Sequence, residues 1–152
     1  MRIWLDTEFN EFRGDLISMG LVAEDGHEWY RVLDCPNPGP WVAKHVMPIL
    51  KDRPVPMGMF QAELQHWLSR YQAVHIVADW PEDIAFFCKV LICAPGVRLN
   101  TPPLTLEIRR DLDGIPSDLP HNALHDARAL MASHIELEYR LPSTVAGSRD
   151  AE

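Results

Sequence analysis

The chain has 152 residues, of which 47% are hydrophobic and 24% are charged. This size and composition predict one domain with a substantial core and exclude an intrinsically disordered chain. Fourteen Lys and Arg against 22 Asp and Glu give a net charge of −8, which excludes a non-specific coat on a polyanion such as nucleic acid.

The first third of the chain predicts an antiparallel meander of three strands. Residues 2–9 carry apolar side chains on both faces, as in a central strand. Residues 16–23 and 27–33 form two further strand candidates, joined by an Asp-Gly turn signal. Six prolines between positions 36 and 56 then predict an irregular cover over the sheet, with a short helix starting at Pro40.

The rest of the chain alternates helices and strands. Apolar spacing predicts a helix over 59–71, a buried strand over 74–78, and a helix that begins at Pro81 and ends before Pro95-Gly96. Ile84, Phe87, Cys88, Leu91 and Ile92 are expected on the buried face of this second helix. A strand over 104–108 and a helix over 122–141 complete an α/β fold, a mixed sheet with helices packed on it.

Several classes of protein are not expected. The longest apolar stretch, residues 84–94, is broken by Lys89 and is too short to span a bilayer. Asp6 stands where a signal peptide needs its apolar core, so a cytoplasmic protein with no removed segment is expected. Three cysteines without a CxxC pair predict reduced thiols. Residues 1–141 are expected to form a single domain, followed by a disordered tail over 142–152.

Asp6 and Glu8 are the first candidates for chemistry. They are two residues apart on a strand, so both carboxylates project from the same face. Two adjacent carboxylates repel each other, whereas Mg²⁺ or Mn²⁺ would convert that repulsion into ligation. The alternative is chance, since a chain this acidic contains about one Asp-x-Glu by composition alone.

Asp79 and Asp83 lie where a short buried strand gives way to a helix. Ligand sites of open α/β sheets collect at such carboxyl ends of strands. Asp79 is alternatively a helix N-cap, and Asp83 alternatively complements the helix dipole.

His121 and Asp126 lie at the start of the last helix. From the approach loop, the imidazole of His121 can act as a general base over a site to which Asp126 contributes. The alternative is a surface cap and a solvated charge. His121 and His125 also have the spacing of a helical zinc pair, but the sequence offers neither the accompanying Glu nor a clear third ligand.

Taken together, three motifs resemble the DEDDh 3′–5′ exonucleases of the ribonuclease T superfamily, over nearly the whole chain. They are Asp6-Thr7-Glu8, Asp83-Ile84-Ala85-Phe86-Phe87 and the segment His121 to Ala127. The Asp-Thr-Glu-Phe start, Gly39-Pro40-Trp41-Val42 and His45-Val46 resemble the small exoribonuclease branch known from mycobacteria and phages.

The resemblance implies a ribonuclease H-like fold and a role for each motif residue. Asp6, Glu8, Asp83 and Asp126 would hold two divalent ions, Mg²⁺ or Mn²⁺, and His121 would be the general base. The second motif departs from the family pattern, because Asp79 and Glu82 replace an Asn and an aromatic residue. Asp79 therefore remains an alternative to Asp83.

Substrate contacts are expected beside the first motif. The candidates are Thr7, Phe9 and Phe12. The two phenylalanines are included because aromatic side chains stack on bases of any sequence. Phe9 and Phe12 are alternatively ordinary core or loop residues. Arg109 and Arg110 are interpreted as a solvated basic pair, with contact to backbone phosphate as the alternative.

The expected function is hydrolysis of phosphodiester bonds from the 3′ end, with release of nucleoside 5′-monophosphates. The family branch favours RNA as the polymer, and the resemblance implies a homodimer. A DNA-directed or proofreading exonuclease is the alternative within the same class of enzyme. A non-catalytic binding module on the same fold is the alternative from another class.

Overall fold

A five-stranded sheet forms the centre of the fold in the computed structural model, which describes residues 1–140. The strands are β1 (Arg2–Phe9), β2 (Leu16–Ala23), β3 (Glu28–Val32), β4 (Val74–Ala78), β5 (Ile92–Ala94), β6 (Val97–Arg98) and β7 (Leu104–Ile108). The helices are α1 (Pro40–His45), α2 (Met57–Leu68), α3 (Pro81–Val90) and α4 (Ala123–Arg140). Strands β5 and β6 form a separate hairpin.

The order of strands in the main sheet is β3-β2-β1-β4-β7. Strands β1, β2 and β3 pair antiparallel, while β4 runs parallel to β1 and β7 runs parallel to β4. The prediction of a mixed, ribonuclease H-like α/β sheet with β1 at its centre is therefore confirmed. Because β1 and β4 are parallel neighbours, their carboxyl ends lie side by side.

The side chains of β1 alternate between two cores. Ile3 and Leu5 pack with residues of α2 and α3, whereas Trp4 packs with Leu130 of α4. This alternation puts α4 on one face of the sheet and α2 and α3 on the other. Asp6 shares the face of Trp4, so its carboxylate projects toward the side that α4 covers.

Gly20 lets α4 approach the sheet. It pairs with Asp6 across β1 and β2. A Cβ atom at Gly20 would lie 2.4 Å from the carbonyl carbon and oxygen of Ala123 and 2.5 Å from the backbone nitrogen of Leu124. The first turn of α4 therefore sits directly over this pair of strands, which brings Asp126 close to Asp6.

The hairpin of β5 and β6 corrects the prediction for the second half of the chain. Helix α3 ends at Val90, and Ile92 is 61% exposed on β5 instead of lying on the buried face of the helix. Pro95-Gly96 forms the hairpin turn, where Gly96 has a φ of +73°. Strands of two or three residues are too short to show the alternation of apolar and polar residues that identifies a strand. The sequence pattern therefore does not distinguish this hairpin from the end of the helix.

Smaller differences concern the ends of the elements. Helix α2 covers Met57–Leu68, so it begins and ends slightly earlier than predicted. The short helix at Pro40 ends at His45 and is followed by a 3₁₀ turn over Met47–Ile49. Residue 141 and the predicted tail over 142–152 lie outside the described residues. Within residues 1–140, no helix has an apolar stretch of the length that a bilayer crossing requires.

The contact at Gly20 predicts a large effect for Gly20→Ala. The added methyl group would overlap the backbone of Ala123, and overpacking of this kind costs about 1–3 kcal/mol. Urea denaturation should therefore show a lower free energy of unfolding for Gly20→Ala.

Gly58→Ala is the matched control. Gly58 lies in α2, and a Cβ atom there would meet nothing within 4 Å. Replacing a helical Gly by Ala should stabilise the protein by about 0.5–1 kcal/mol. Equal effects of the two substitutions would contradict the close approach of α4 at Gly20.

Candidate active site

Five carboxylates meet at the carboxyl ends of β1 and β4. Oxygen atoms of Asp6, Glu8 and Asp126 lie within 4.8 Å of one another, and so do oxygen atoms of Asp6, Asp79 and Asp83. Asp6 belongs to both clusters. The structure thus brings together all four carboxylates predicted from the motifs, and it adds Asp79 to the group.

Each carboxylate comes from an element whose position the sheet fixes. Asp6 and Glu8 lie on β1, and Asp79 follows the last residue of β4. Asp83 and Asp126 lie in the first turns of α3 and α4. A carboxylate in the first turn of a helix is favoured by the helix dipole, which offsets part of the repulsion. The geometry brings both Asp79 and Asp83 to Asp6.

Thr7 holds Asp83 in place. Asp83 is 2% exposed, and its Oδ1 accepts hydrogen bonds from the Thr7 hydroxyl at 2.6 Å and from the Thr7 backbone N–H at 3.1 Å. Thr7 itself is only 5% exposed. The side chain proposed as a substrate contact is therefore engaged in orienting a carboxylate.

Two oxygen atoms in the clusters are buried without a partner. Oδ2 of Asp6 and Oδ1 of Asp126 accept no hydrogen bond from any residue within 1–140. Burial is the main reason that the pKa of Asp6 is raised well above its usual value, and the nearby charges of Asp83, Asp126, Glu8 and Asp79 add to it. Burial likewise raises the pKa of Asp126.

The pKa values of Glu8 and Asp83 are raised as well. Burial and the charges of Asp126 and Asp83 raise the pKa of Glu8 to about 8. Burial raises the pKa of Asp83 to about 7, although the hydrogen bonds from Thr7 act against this rise. Without a bound cation, ionisation of all these carboxyl groups is therefore unfavourable at neutral pH.

These donors fit a hard divalent cation. Carboxylate oxygens are the ligands that Mg²⁺ and Mn²⁺ prefer, and a cation would satisfy buried oxygens that no N–H or O–H reaches. The acidic clusters could thus hold metal ions. Neither cluster within residues 1–140 contains a histidine, and His125 instead contacts Asp118, with 2.7 Å between Nδ1 and Oδ1.

His121 stands at the edge of the clusters. Its backbone has a φ of +69°, and its N–H donates to Oδ2 of Asp126 at 2.9 Å. A positive φ is uncommon for a residue with a side chain, and such residues concentrate at functional sites. The imidazole is exposed and meets the ring of Trp41 edge to face, with 4.9 Å between centroids.

Asn122 secures the start of α4, a role that the motif analysis missed. It is buried, and its Nδ2 donates to the carbonyl oxygen of Ile49 at 2.8 Å. The Tyr30 hydroxyl donates to the neighbouring carbonyl of Leu50 at 2.9 Å. These bonds tie α4 and the sheet to the segment that follows α1. An Asn before a helix is a cap signal in the sequence, but its distant partners are visible only in the fold.

The two predicted aromatic contacts differ in exposure. Phe9 is half-buried and lies 5.0 Å from Phe86, measured between ring centroids. Phe12 is 78% exposed in the loop after β1, where the guanidinium of Arg13 lies 4.9 Å from its ring. Phe12 therefore presents far more aromatic surface to a ligand than Phe9 does.

Comparison with known proteins gives a partial match. Two curated 3′–5′ exoribonucleases of Mycobacterium tuberculosis, from strains CDC 1551 and H37Rv, are each 44% identical to this chain over 77 residues. The match covers 47% of this chain and 40% of the length of each relative. No protein-family profile matches the chain.

The raised pKa values predict how stability depends on pH in EDTA. Unfolded carboxyl groups have their ordinary pKa values, so between about pH 5 and pH 8 the folded protein keeps protons on Glu8 and Asp83 that the unfolded chain has released. The free energy of unfolding should therefore fall as the pH rises through this window. Asp6→Asn removes a carboxyl group whose own pKa the fold raises, so the loss of its titration should make the fall smaller.

Glu24→Gln is the control outside the clusters. Hydrogen bonds from Arg2 lower the pKa of Glu24, so this group is ionised in both states above pH 5. Its removal should lower stability evenly across the window and leave the slope unchanged. Urea denaturation at several pH values measures both effects, and a stability that rises from pH 5 to pH 8 would contradict the electrostatic account of the clusters.

Proposed function

We propose that this chain is a metal-dependent 3′–5′ exoribonuclease of the DEDDh type, related to the ribonuclease T superfamily. It hydrolyses phosphodiester bonds from the 3′ end and releases nucleoside 5′-monophosphates. The observation that carries this proposal is the meeting of five carboxylates around Asp6, with two buried oxygens that lack partners. The name of the mycobacterial relatives, 3′–5′ exoribonuclease, supports the same reaction.

Asp6, Glu8, Asp83 and Asp126 are the proposed ligands of two divalent ions, Mg²⁺ or Mn²⁺. The place of Asp6 in both clusters supports a carboxylate shared between two ions. When bound, two such ions supply Lewis-acid stabilisation of the charge that develops on a phosphate undergoing displacement. Asp79 adds a carboxylate beside Asp83 and increases the negative charge that attracts the ions.

His121 is the proposed general base. Its imidazole is exposed beside the clusters, so a ring nitrogen can accept the proton of the attacking water and pass it to bulk solvent. The hydrogen bond to Asp126 fixes the backbone of His121, and the edge-to-face contact with Trp41 limits where the ring can move. Both contacts reduce the conformational entropy that would otherwise be lost in reaching the reactive position.

Binding of RNA should depend on the ions. The chain has a net charge of −8, and the clusters concentrate negative charge where the phosphate must lie. Occupied ion sites would offset most of this negative charge and present cations to which the phosphodiester is attracted. Phe12 is the proposed stacking surface for a base near the 3′ end, since base stacking on an aromatic ring contributes about 1–3 kcal/mol.

The family resemblance also supports two statements about partners. We propose RNA as the natural polymer and a second copy of this chain as the partner in a homodimer.

The product ladder of a 5′-labelled oligonucleotide tests this function. With Mn²⁺ or Mg²⁺, the chain should shorten single-stranded RNA stepwise from the 3′ end, and EDTA should stop the reaction. Asp6→Asn and His121→Ala should each lower kcat at least about 100-fold, because general base catalysis alone contributes about 10²–10⁴-fold.

Glu138→Gln serves as the matched control, since Glu138 contacts Arg2 away from the clusters. If DNA is shortened in preference to RNA, the substrate is DNA and the proposal of RNA is wrong. Intact RNA and DNA with either metal would contradict the enzyme and favour a binding module on the same fold.

A further inference from the structure

Arg110 lies at the rim of the acidic clusters without a carboxylate partner. Its Nη1 donates to the backbone carbonyl oxygen of Asp79 at 2.6 Å. Within residues 1–140, several arginines form ion pairs with Asp or Glu, for example Arg109 with Asp111 at 2.7 Å and Arg128 with Glu28 at 2.6 Å, while others such as Arg70 form none. Arg110 forms no such pair there: its hydrogen bond goes to a neutral carbonyl, although its charge also acts on the nearby carboxyl group of Asp79.

Trp80 holds this guanidinium in place. The guanidinium carbon of Arg110 lies 4.5 Å from the centroid of the Trp80 ring. The indole N–H of Trp80 donates to Glu82 at 2.9 Å, which fixes the ring in turn. Both side chains nevertheless reach solvent, since Arg110 is exposed and Trp80 is 46% exposed. The result is a fixed positive charge that faces solvent.

The position of this charge suggests its ligand. Asp79 and Asp83 share a cluster with Asp6, so the carbonyl that Arg110 contacts belongs to a residue of the site itself. A planar guanidinium offers its remaining N–H groups to two oxygens of one phosphate. A nucleic acid strand carries a phosphate at every nucleotide, and only one of these phosphates contains the bond to be cleaved.

We propose that Arg110 binds a phosphate of the substrate strand next to the scissile one, and that Trp80 is the positioning residue for Arg110. This proposal rests on the proposed exonuclease function. It differs from a solvated basic pair, because Arg109 and Arg110 have separate environments: Arg109 is bound to Asp111, while Arg110 is bound to the backbone of Asp79 at the rim of the site.

Two substrates that differ in their number of phosphates test the proposal. One is a single-stranded RNA pentanucleotide, and the other is the p-nitrophenyl ester of a nucleoside 5′-monophosphate, which has no neighbouring phosphate. Arg110→Gln should lower kcat/KM on the pentanucleotide about tenfold, the effect of losing one charge-assisted hydrogen bond, and much less on the ester. The loss should be the same for oligo(A) and oligo(U), because phosphate contacts do not read sequence.

Salt dependence provides a second measurement that a merely structural role would not change. Binding of the pentanucleotide is followed by fluorescence anisotropy in the His121→Ala background, which slows hydrolysis and keeps the carboxylates. For single strands, the slope of log K against log salt is about −0.7 for each phosphate contact. Arg110→Gln should make the slope less negative by about 0.7, whereas Arg110→Lys should retain the slope with weaker binding.

Arg70→Gln is the matched control. Arg70 is exposed and lies before the amino end of β4, at the opposite end of that strand from Asp79. Its replacement changes the net charge equally and should leave both substrates and the salt slope unaffected. Trp80→Leu should reproduce a part of the Arg110→Gln defect.

The outcomes separate this inference from the function on which it rests. If the unmodified chain cleaves both substrates but Arg110→Gln has equal effects on them, or leaves the salt slope unchanged, the phosphate contact is wrong and the exonuclease stands. If the unmodified chain cleaves neither substrate with Mn²⁺ or Mg²⁺, the proposed function itself fails, and the inference fails with it.

Discussion

Burial of the carboxylates around Asp6, together with their mutual repulsion, is the constraint on which the rest of the site depends. Burial raises the pKa values of Asp6, Glu8 and Asp83, so the folded chain tolerates an arrangement that its charges oppose. The opposing stabilisation comes from elsewhere, in the apolar cores on both faces of the sheet. Such local destabilisation is characteristic of sites that bind a ligand of opposite charge.

Close backbone packing is what makes the arrangement possible. The missing side chain at Gly20 admits the first turn of α4 onto the strand that pairs with β1. Asn122 then ties that turn to the segment after α1. Helix α1 itself carries Trp41, whose ring contacts His121. The carboxylates and the imidazole therefore come from distant parts of the chain, yet a small set of contacts sets their positions relative to one another.

Local sequence patterns predicted much of this architecture. Apolar runs and turn residues indicated β1, β2 and β4, and the motif positions of Asp6, Glu8, Asp83 and Asp126 converge in the fold. The β5–β6 hairpin was missed because two or three residues per strand carry no periodic signal. The roles of Gly20 and Asn122 were missed because each depends on a contact with a residue more than 70 positions away in the chain.

Counting bound ions tests the account most directly. Mn²⁺ is titrated into the metal-free protein in the presence of a nucleoside 5′-monophosphate, and binding is measured by isothermal titration calorimetry. The account predicts two Mn²⁺ per chain, and it predicts that Asp6→Asn weakens both sites, because Asp6 contributes to each cluster. Absence of Mn²⁺ binding, or binding that Asp6→Asn leaves unchanged, would contradict the claim that these carboxylates are gathered to hold divalent ions.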